Sequence, residues 1–203
     1  MSISPRERAL RRAKTLRRLA EELDALRALK LFNTTGALRA LEELELRGDT
    51  WDELKGFLRF VASIPSREPH FPKMRKMDKV SNVLLAVSFA ASLASLILVV
   101  LLQGELLVYL LVTSALILLN AAYILKLYVF AKLRSAYARH LDEIKSGEPL
   151  LRKAVDQAIA RMRGELRKAG ADPSSVTLDM YFSDYSQVRV VEKKRGRYKL
   201  ALR

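Results

Sequence analysis

Two apolar runs constrain this chain more than any other feature. Residues 83–102 and residues 106–125 each hold twenty positions without Asp, Glu, Lys or Arg, separated only by Gln103, Gly104 and Glu105. A helix rises about 1.5 Å per residue, so each run covers roughly 30 Å, the thickness of a bilayer's hydrocarbon core. A single helix through both is about twice too long. Gly104 accepts turn geometry, and Gln103 and Glu105 prefer headgroups and water to hydrocarbon. The three residues therefore predict the tip of a transmembrane helical hairpin, with spans over about 80–102 and 106–125. The competing reading is a buried helix pair in a water-soluble protein, which rarely needs apolar runs of this length.

Charge sets the expected orientation. The 203 residues carry 36 Lys/Arg against 22 Asp/Glu, a net +14, and residues 80–125 contain no charge except Glu105. Lys73, Arg75, Lys76 and Lys79 precede the first run, and Lys126, Lys132 and Arg134 follow the second. No Lys or Arg lies between the runs. The positive-inside rule then predicts a two-span protein of the cell membrane with both termini in the cytoplasm. The same cations are candidates for contact with anionic headgroups or another acidic partner, and Tyr123 and Tyr128 for the inner interface. The arginine-dense start, "RERALRRAKTLRR", lacks the apolar core of a signal peptide. Few Asn and Gln, no Cys and many Leu, Arg and Glu match a thermophile's composition.

Inside the hairpin the polar residues are candidates for helix packing. Reversal at Gly104 predicts that residue i faces residue 208 − i, which sets Asn120 opposite Ser88 and Thr113 opposite Ser95. Ser88, Ser92, Ser95, Thr113 and Asn120, with Ser81, Ser114 and Ala121, form the expected intramolecular seam, since small residues permit close approach and polar ones bond across it. The alternative use of Ala91-x-x-x-Ser95 or Ser88-x-x-x-Ser92 is a homo-oligomer interface. Asn120 reads as structural rather than as a proton or substrate site, because no ionisable group accompanies it within either run.

Outside the hairpin the fold class reads as mainly α with a small α+β module. Leu10, Leu16, Leu19, Leu23 and Leu26 predict a helix over about 4–31, with Pro5 in its first turn. A second helix is expected near 35–47, ended by Gly48. A third is expected from Thr50, where Thr50-x-x-Glu53 fits a capping box and Trp51, Leu54, Phe57, Leu58 and Val61 form the apolar side. These make an N-terminal cytoplasmic helical region over 1–63. Its second and third helices do not fit a DNA reader, because Asp52 and Glu53 occupy the turn that would meet bases. Residues 64–79 hold three prolines and read as a basic linker. The second span is expected to run on without a break to about residue 146, with its cytoplasmic extension, 126–146, paired to the N-terminal helix as in a coiled coil.

Residues 147–203 read as the C-terminal module. Gly147 and Pro149 open a helix closed by Gly170. "VTLDMYF", "QVRVVE" and "RYKLALR" alternate as strands, expected as a three-stranded antiparallel meander with turns at 183–186 and 193–196. The tip, Lys193, Lys194, Arg195 and Arg197, has three competing readings: a solvated turn, contact with anionic headgroups, and contact with RNA phosphates, including those of the ribosome.

Catalytic signatures are missing from the sequence: no phosphate loop, no GxGxxG, no HExxH, no G-x-S-x-G, no cysteine and only two histidines, His70 and His140. The expectation is a non-catalytic integral membrane scaffold or adaptor, without cofactor or metal, that anchors a basic cytoplasmic body and a protein partner at the inner face of the membrane. A membrane tether for RNA or ribosomes, and an accessory subunit of a larger transport or insertion complex, are the alternatives.

Overall fold

Ser4 starts the first helix by a reciprocal cap: its Oγ accepts from the Glu7 N–H at 3.2 Å, and the Glu7 carboxylate accepts from the Ser4 N–H at 3.0 Å. The computed structural model describes residues 4–30, 33–102 and 105–203. They are mostly helical, with one small three-stranded antiparallel sheet. The chain divides into two units, residues 1–63 with 141–203 and residues 64–140.

The first unit holds α1 (Pro5–Arg27), α2 (Thr34–Glu43), α3 (Asp49–Ser63), α6 (Leu141–Ser146), α7 (Glu148–Lys168) and strands β1 (Thr177–Met180), β2 (Val188–Lys194) and β3 (Arg197–Leu202). α1 ends earlier than its leucine pattern suggests. Leu29 takes a left-handed φ of 53° while the Lys30 N–H donates to the Ala25 carbonyl, a Schellman-type stop. α2 is capped by Asn33, whose side chain accepts from the Gly36 N–H at 2.8 Å. α3 begins at Asp49, so Thr50 is a buried helical residue and not the expected cap.

α1 lies antiparallel to α7. Arg27 meets Glu148 at the start of α7, while Arg12 and Leu16 line one cleft with Glu165 and Lys168. Their shared core includes Leu16, Leu19, Leu23, Leu151, Val155 and Ile159, and Trp51, Leu54 and Leu58 close it from α3. The expected pairing of α1 with the extension of the second span is therefore corrected. The stripe on α1 needed an apolar partner, and α7, buried along seven positions, supplies it.

The sheet order is β1-β3-β2, not a meander. β3 is central because Leu200, Ala201 and Leu202 are all buried, which an edge strand rarely permits. The segment 181–187 is tied to α1 and α7 rather than folding back as a β1–β2 hairpin, so β1 pairs with β3 while the expected β2–β3 hairpin forms. Gly196, at φ 76°, makes the tight β2–β3 turn.

The second unit is a pair of long helices, α4 (Phe71–Leu102) and α5 (Glu105–Arg139), preceded by a short 3-10 turn at Ile64–Arg67. α4 starts well before the first apolar run. Pro72 sits in its first turn, where a missing N–H costs little, so the expected linker shrinks and Lys73 to Lys79 become helical. α5 stops at Arg139, with a turn at His140 before α6, where one unbroken helix to about 146 was expected. Both helices are long and apolar enough to cross a membrane. The expected tip falls on Gln103 and Gly104, which lie outside the described residues.

Candidate functional sites: an inside-out hairpin and a buried polar lock

The α4–α5 seam repeats every seven residues. Met74, Ser81, Ser88 and Ser95 are buried on α4, and Ala115, Ala122, Val129 and Ala136 on α5. A sustained seven-residue repeat keeps one stripe facing the partner in a left-handed pair. Two cross-helix bonds fix the register: Ser81 Oγ donates to the Ala122 carbonyl and Ser88 Oγ to the Ala115 carbonyl, both at 2.9 Å. Residue i of α4 thus faces 203 − i of α5, five positions away from the register expected from reversal at Gly104.

That shift relocates the predicted packing residues. Ser88 and Ser95 are buried, and Ser95 Oγ donates to the Ser92 carbonyl at 2.7 Å. Ser92 is exposed and donates to the Ser88 carbonyl of its own helix at 2.9 Å. Thr113 and Asn120 are exposed, and Asn120 Nδ2 donates to the Leu116 carbonyl one turn back at 2.8 Å. Asn120 does not face Ser88. Its amide satisfies itself locally, leaving the alanine stripe as the closest approach.

The outer surface of the hairpin inverts the usual order of a soluble protein. The buried seam is mostly small or hydroxylated (Ser81, Ser88, Ser95, Ala115, Ala122 and Ala136), while the large Val83, Phe89, Leu96, Ile97, Leu116, Ile117 and Ile124 point outward. Only 17% of the apolar window of α4 and 11% of that of α5 are buried, far below what a core helix of a soluble domain shows.

At the other end of the hairpin the register gathers cations. Lys126 Nζ pairs with Asp78 at 2.6 Å, and Arg139 with Glu68 at 2.5 Å. Lys73, Arg75, Lys76, Lys79, Lys132 and Arg134 are exposed there and have no ion pair among the described residues. Lys132 Nζ lies 5.7 Å from the Tyr128 ring centroid.

The first unit contains a polar network that local sequence did not announce. Asp24 is fully buried and accepts from Tyr185 Oη at 2.6 Å and from the Tyr181 N–H. Arg27, with 5% of its side chain exposed, forms a fork to Asp184 at 2.6 and 2.8 Å and reaches Glu148 at 2.9 Å. Its guanidinium lies 4.0 Å from the Phe182 ring centroid. Burial raises Asp24 above its ordinary pKa, opposed by the Tyr185 hydroxyl and the backbone N–H groups. The Arg27 guanidinium holds Asp184 below the usual carboxylate range. Ser186 adds two bonds to Asp156 of α7, at 2.9 and 3.0 Å. The network locks segment 181–187 against α1 and α7. Its polar atoms are used on one another, which is the arrangement of a structural clasp.

Of the predicted tip residues, Lys193, Lys194, Arg195 and Arg197 are all exposed. Lys193 stacks over Tyr198, and Arg197 donates to Tyr181 Oη at 2.6 Å. An open pocket of about 430 Å³ in the first unit is lined by Arg47, Trp51, Lys153 and Arg161 among others. Among the described residues, no three His, Asp or Glu side chains group as a metal site requires. Comparison with protein-family models, curated proteins and solved structures gave no match.

Proposed function

We propose that this chain is a two-span membrane anchor whose first unit remains in the cytoplasm as a non-catalytic scaffold for a protein partner. The observation that carries the reading is the inverted hairpin, with Ser and Ala inside and Leu, Ile, Val and Phe outside. Water favours the opposite arrangement, whereas hydrocarbon leaves apolar faces unpenalised and rewards close contact between small residues. Chain topology adds independent support. Residues 1–63 and 141–203 pack as one unit, which favours a topology with both ends of the hairpin on the same side of the bilayer. The cations at that end supply the positive-inside signal, while Glu105 is the sole charge near the other. The scaffold role is supported by the Asp24–Arg27–Asp184–Tyr185 clasp, which spends the buried polar groups of the first unit on holding its shape.

The chain lacks cysteine, so single substitutions give clean topology probes. Glu105→Cys should react with an impermeant maleimide on intact cells, while Ser4→Cys and Arg203→Cys should react only after permeabilisation. Labelling of all three on intact cells, or recovery of the chain in the soluble fraction without detergent, refutes the proposal.

A further inference from the structure

We infer that the basic end of the α4–α5 hairpin is a binding collar for anionic phospholipid, recognising headgroup phosphate and hydrocarbon together. The inference rests on the two-span reading and names the lipid class it selects. Six exposed cations, Lys73, Arg75, Lys76, Lys79, Lys132 and Arg134, occupy this end without a carboxylate partner among the described residues. The protein's own acids do not serve them: Asp78 is taken by Lys126 and Glu68 by Arg139. An anion from outside completes the set.

The choice among anions follows from what lies between the cations. On α5, Leu127, Tyr128 and Phe130, exposed by 50%, 41% and 54%, fall between Lys126 and Lys132. That is a span of about 9 Å along a helix. On α4, Val80 and Val83, 51% and 61% exposed, lie one and four positions after Lys79. A ligand here must offer phosphate and hydrocarbon within a turn or two of helix. Nucleic acid offers phosphate without hydrocarbon, and an acidic protein surface offers carboxylate without an acyl chain. A phospholipid offers both, with the acyl chains running along the outward Val, Leu and Ile side chains and the phosphate among the lysines. Tyr128, beneath Lys132, suits the boundary, where an apolar ring body and a polar hydroxyl are both accommodated.

The test uses the full-length chain in mixed micelles of a mild detergent with equimolar phosphatidylglycerol and phosphatidylcholine, and reads retained lipid by native mass spectrometry. Phosphatidylglycerol should be enriched at least about fivefold, the effect of one cation near an anionic surface. The variant Lys73→Gln/Arg75→Gln/Lys76→Gln/Lys79→Gln should lose the enrichment, and Lys132→Gln/Arg134→Gln should reduce it. Lys193→Gln/Lys194→Gln, on the sheet of the first unit, should leave it intact. Circular dichroism checks that each variant keeps its helices, and the α5 pair stands in should the fourfold variant misfold. Glycerol phosphate, which has the headgroup chemistry without tails, should not displace the retained lipid. Equal retention of both lipids by protein that stays in the micelles overturns the collar and leaves the two-span reading standing. Displacement by glycerol phosphate or by single-stranded RNA also overturns it. Failure of the chain to enter micelles at all overturns the two-span reading instead.

Discussion

Arg27→Ala should destabilise the first unit far more than an average helix-surface substitution. Only 5% of the Arg27 side chain is exposed, yet it serves Asp184, Glu148 and Tyr185 and covers the Phe182 ring. Its loss leaves Asp24, which is fully buried, with neutral donors only. Removing one partner of a buried pair costs about 3–5 kcal/mol. Here Asp184 and Glu148 keep 39% and 53% side-chain exposure and recover water, which offsets part of that cost. The expected loss is about 2–3 kcal/mol, including a contribution of less than about 1 kcal/mol from the cation–ring contact. Asp184→Ala should cost less, about 1 kcal/mol, because Arg27 retains Glu148 and Tyr185. The assay is built into the chain: Trp51 is its single tryptophan and is buried in the first unit. Urea titration of the full chain in mild detergent, followed by Trp51 fluorescence, reads that unit. With a urea slope of about 1–3 kcal/mol per molar, the midpoint should fall by about 0.7–3 M at unchanged slope. A shift under about 0.5 M refutes the view that the clasp holds the unit together.

The same titration across pH separates the two carboxylates of the clasp. Asp184 is held low by Arg27, so its stabilisation is present above the ordinary aspartate range and lost as pH falls through its depressed value; Asp184→Asn should flatten that acid limb. Asp24 is raised by burial, so its contribution has the opposite sign, present at acid pH and lost as pH rises through its raised value. In the hairpin, Ala122→Leu should destabilise by about 1–3 kcal/mol, because Ala122 is fully buried and its carbonyl receives Ser81. Asn120→Leu, on the outward face, should change stability by less than about 0.5 kcal/mol, and thermal melts of the 222 nm signal in detergent distinguish the two.

Much of the architecture was legible because it follows from periodicity and length. The two apolar runs, the leucine stripe of α1, the Gly147 break and the three strands all read directly from residue order. Pairing was harder, since an apolar stripe says that a partner exists without saying which one. α1 chose α7, and β1 chose β3 rather than β2, through contacts between residues more than a hundred and about twenty positions apart respectively. The register error had a readable remedy. Ser81, Ser88 and Ser95 are seven apart, as are Ala115 and Ala122, and matching those stripes predicts the observed alignment better than reversal about a glycine. Asp24 and Arg27 also left a trace. Ala9, Ala13, Leu16, Ala20 and Leu23 step by four and three along one face, and the next step lands on Arg27, with Asp24 beside Leu23. A charge on an apolar stripe signals a buried partner, but the partner, residues 184–185, lies too far along the chain for local reading. The basic tip at Lys193 to Arg197 was legible as a turn, and its cations are exposed.

The two units are built on opposite solvent logic, and that contrast explains why one short chain needs both. The first unit buries Leu, Ile and Trp and leaves its charges outside, so its cohesion comes from expelling water. The second buries Ser and Ala and turns its large side chains outward, so its cohesion comes from close helix approach and from Ser81 and Ser88 bonding across the seam. Interhelical bonds of this kind contribute only about 0.6 kcal/mol each on average. Two of them do not hold a pair of long helices against water, which would penalise every exposed Leu and Phe and favour collapse or aggregation. In hydrocarbon that penalty vanishes, and a weak seam would suffice for the two-span anchor proposed above. The ends of the hairpin are then held by a different force. On the two-span reading proposed above, charge at 73–79 and 126–134 would mark one boundary, and the packing of residues 1–63 with 141–203 would keep both chain ends on one side. On that reading the collar would set the depth, and the seam would need only to keep two helices in register.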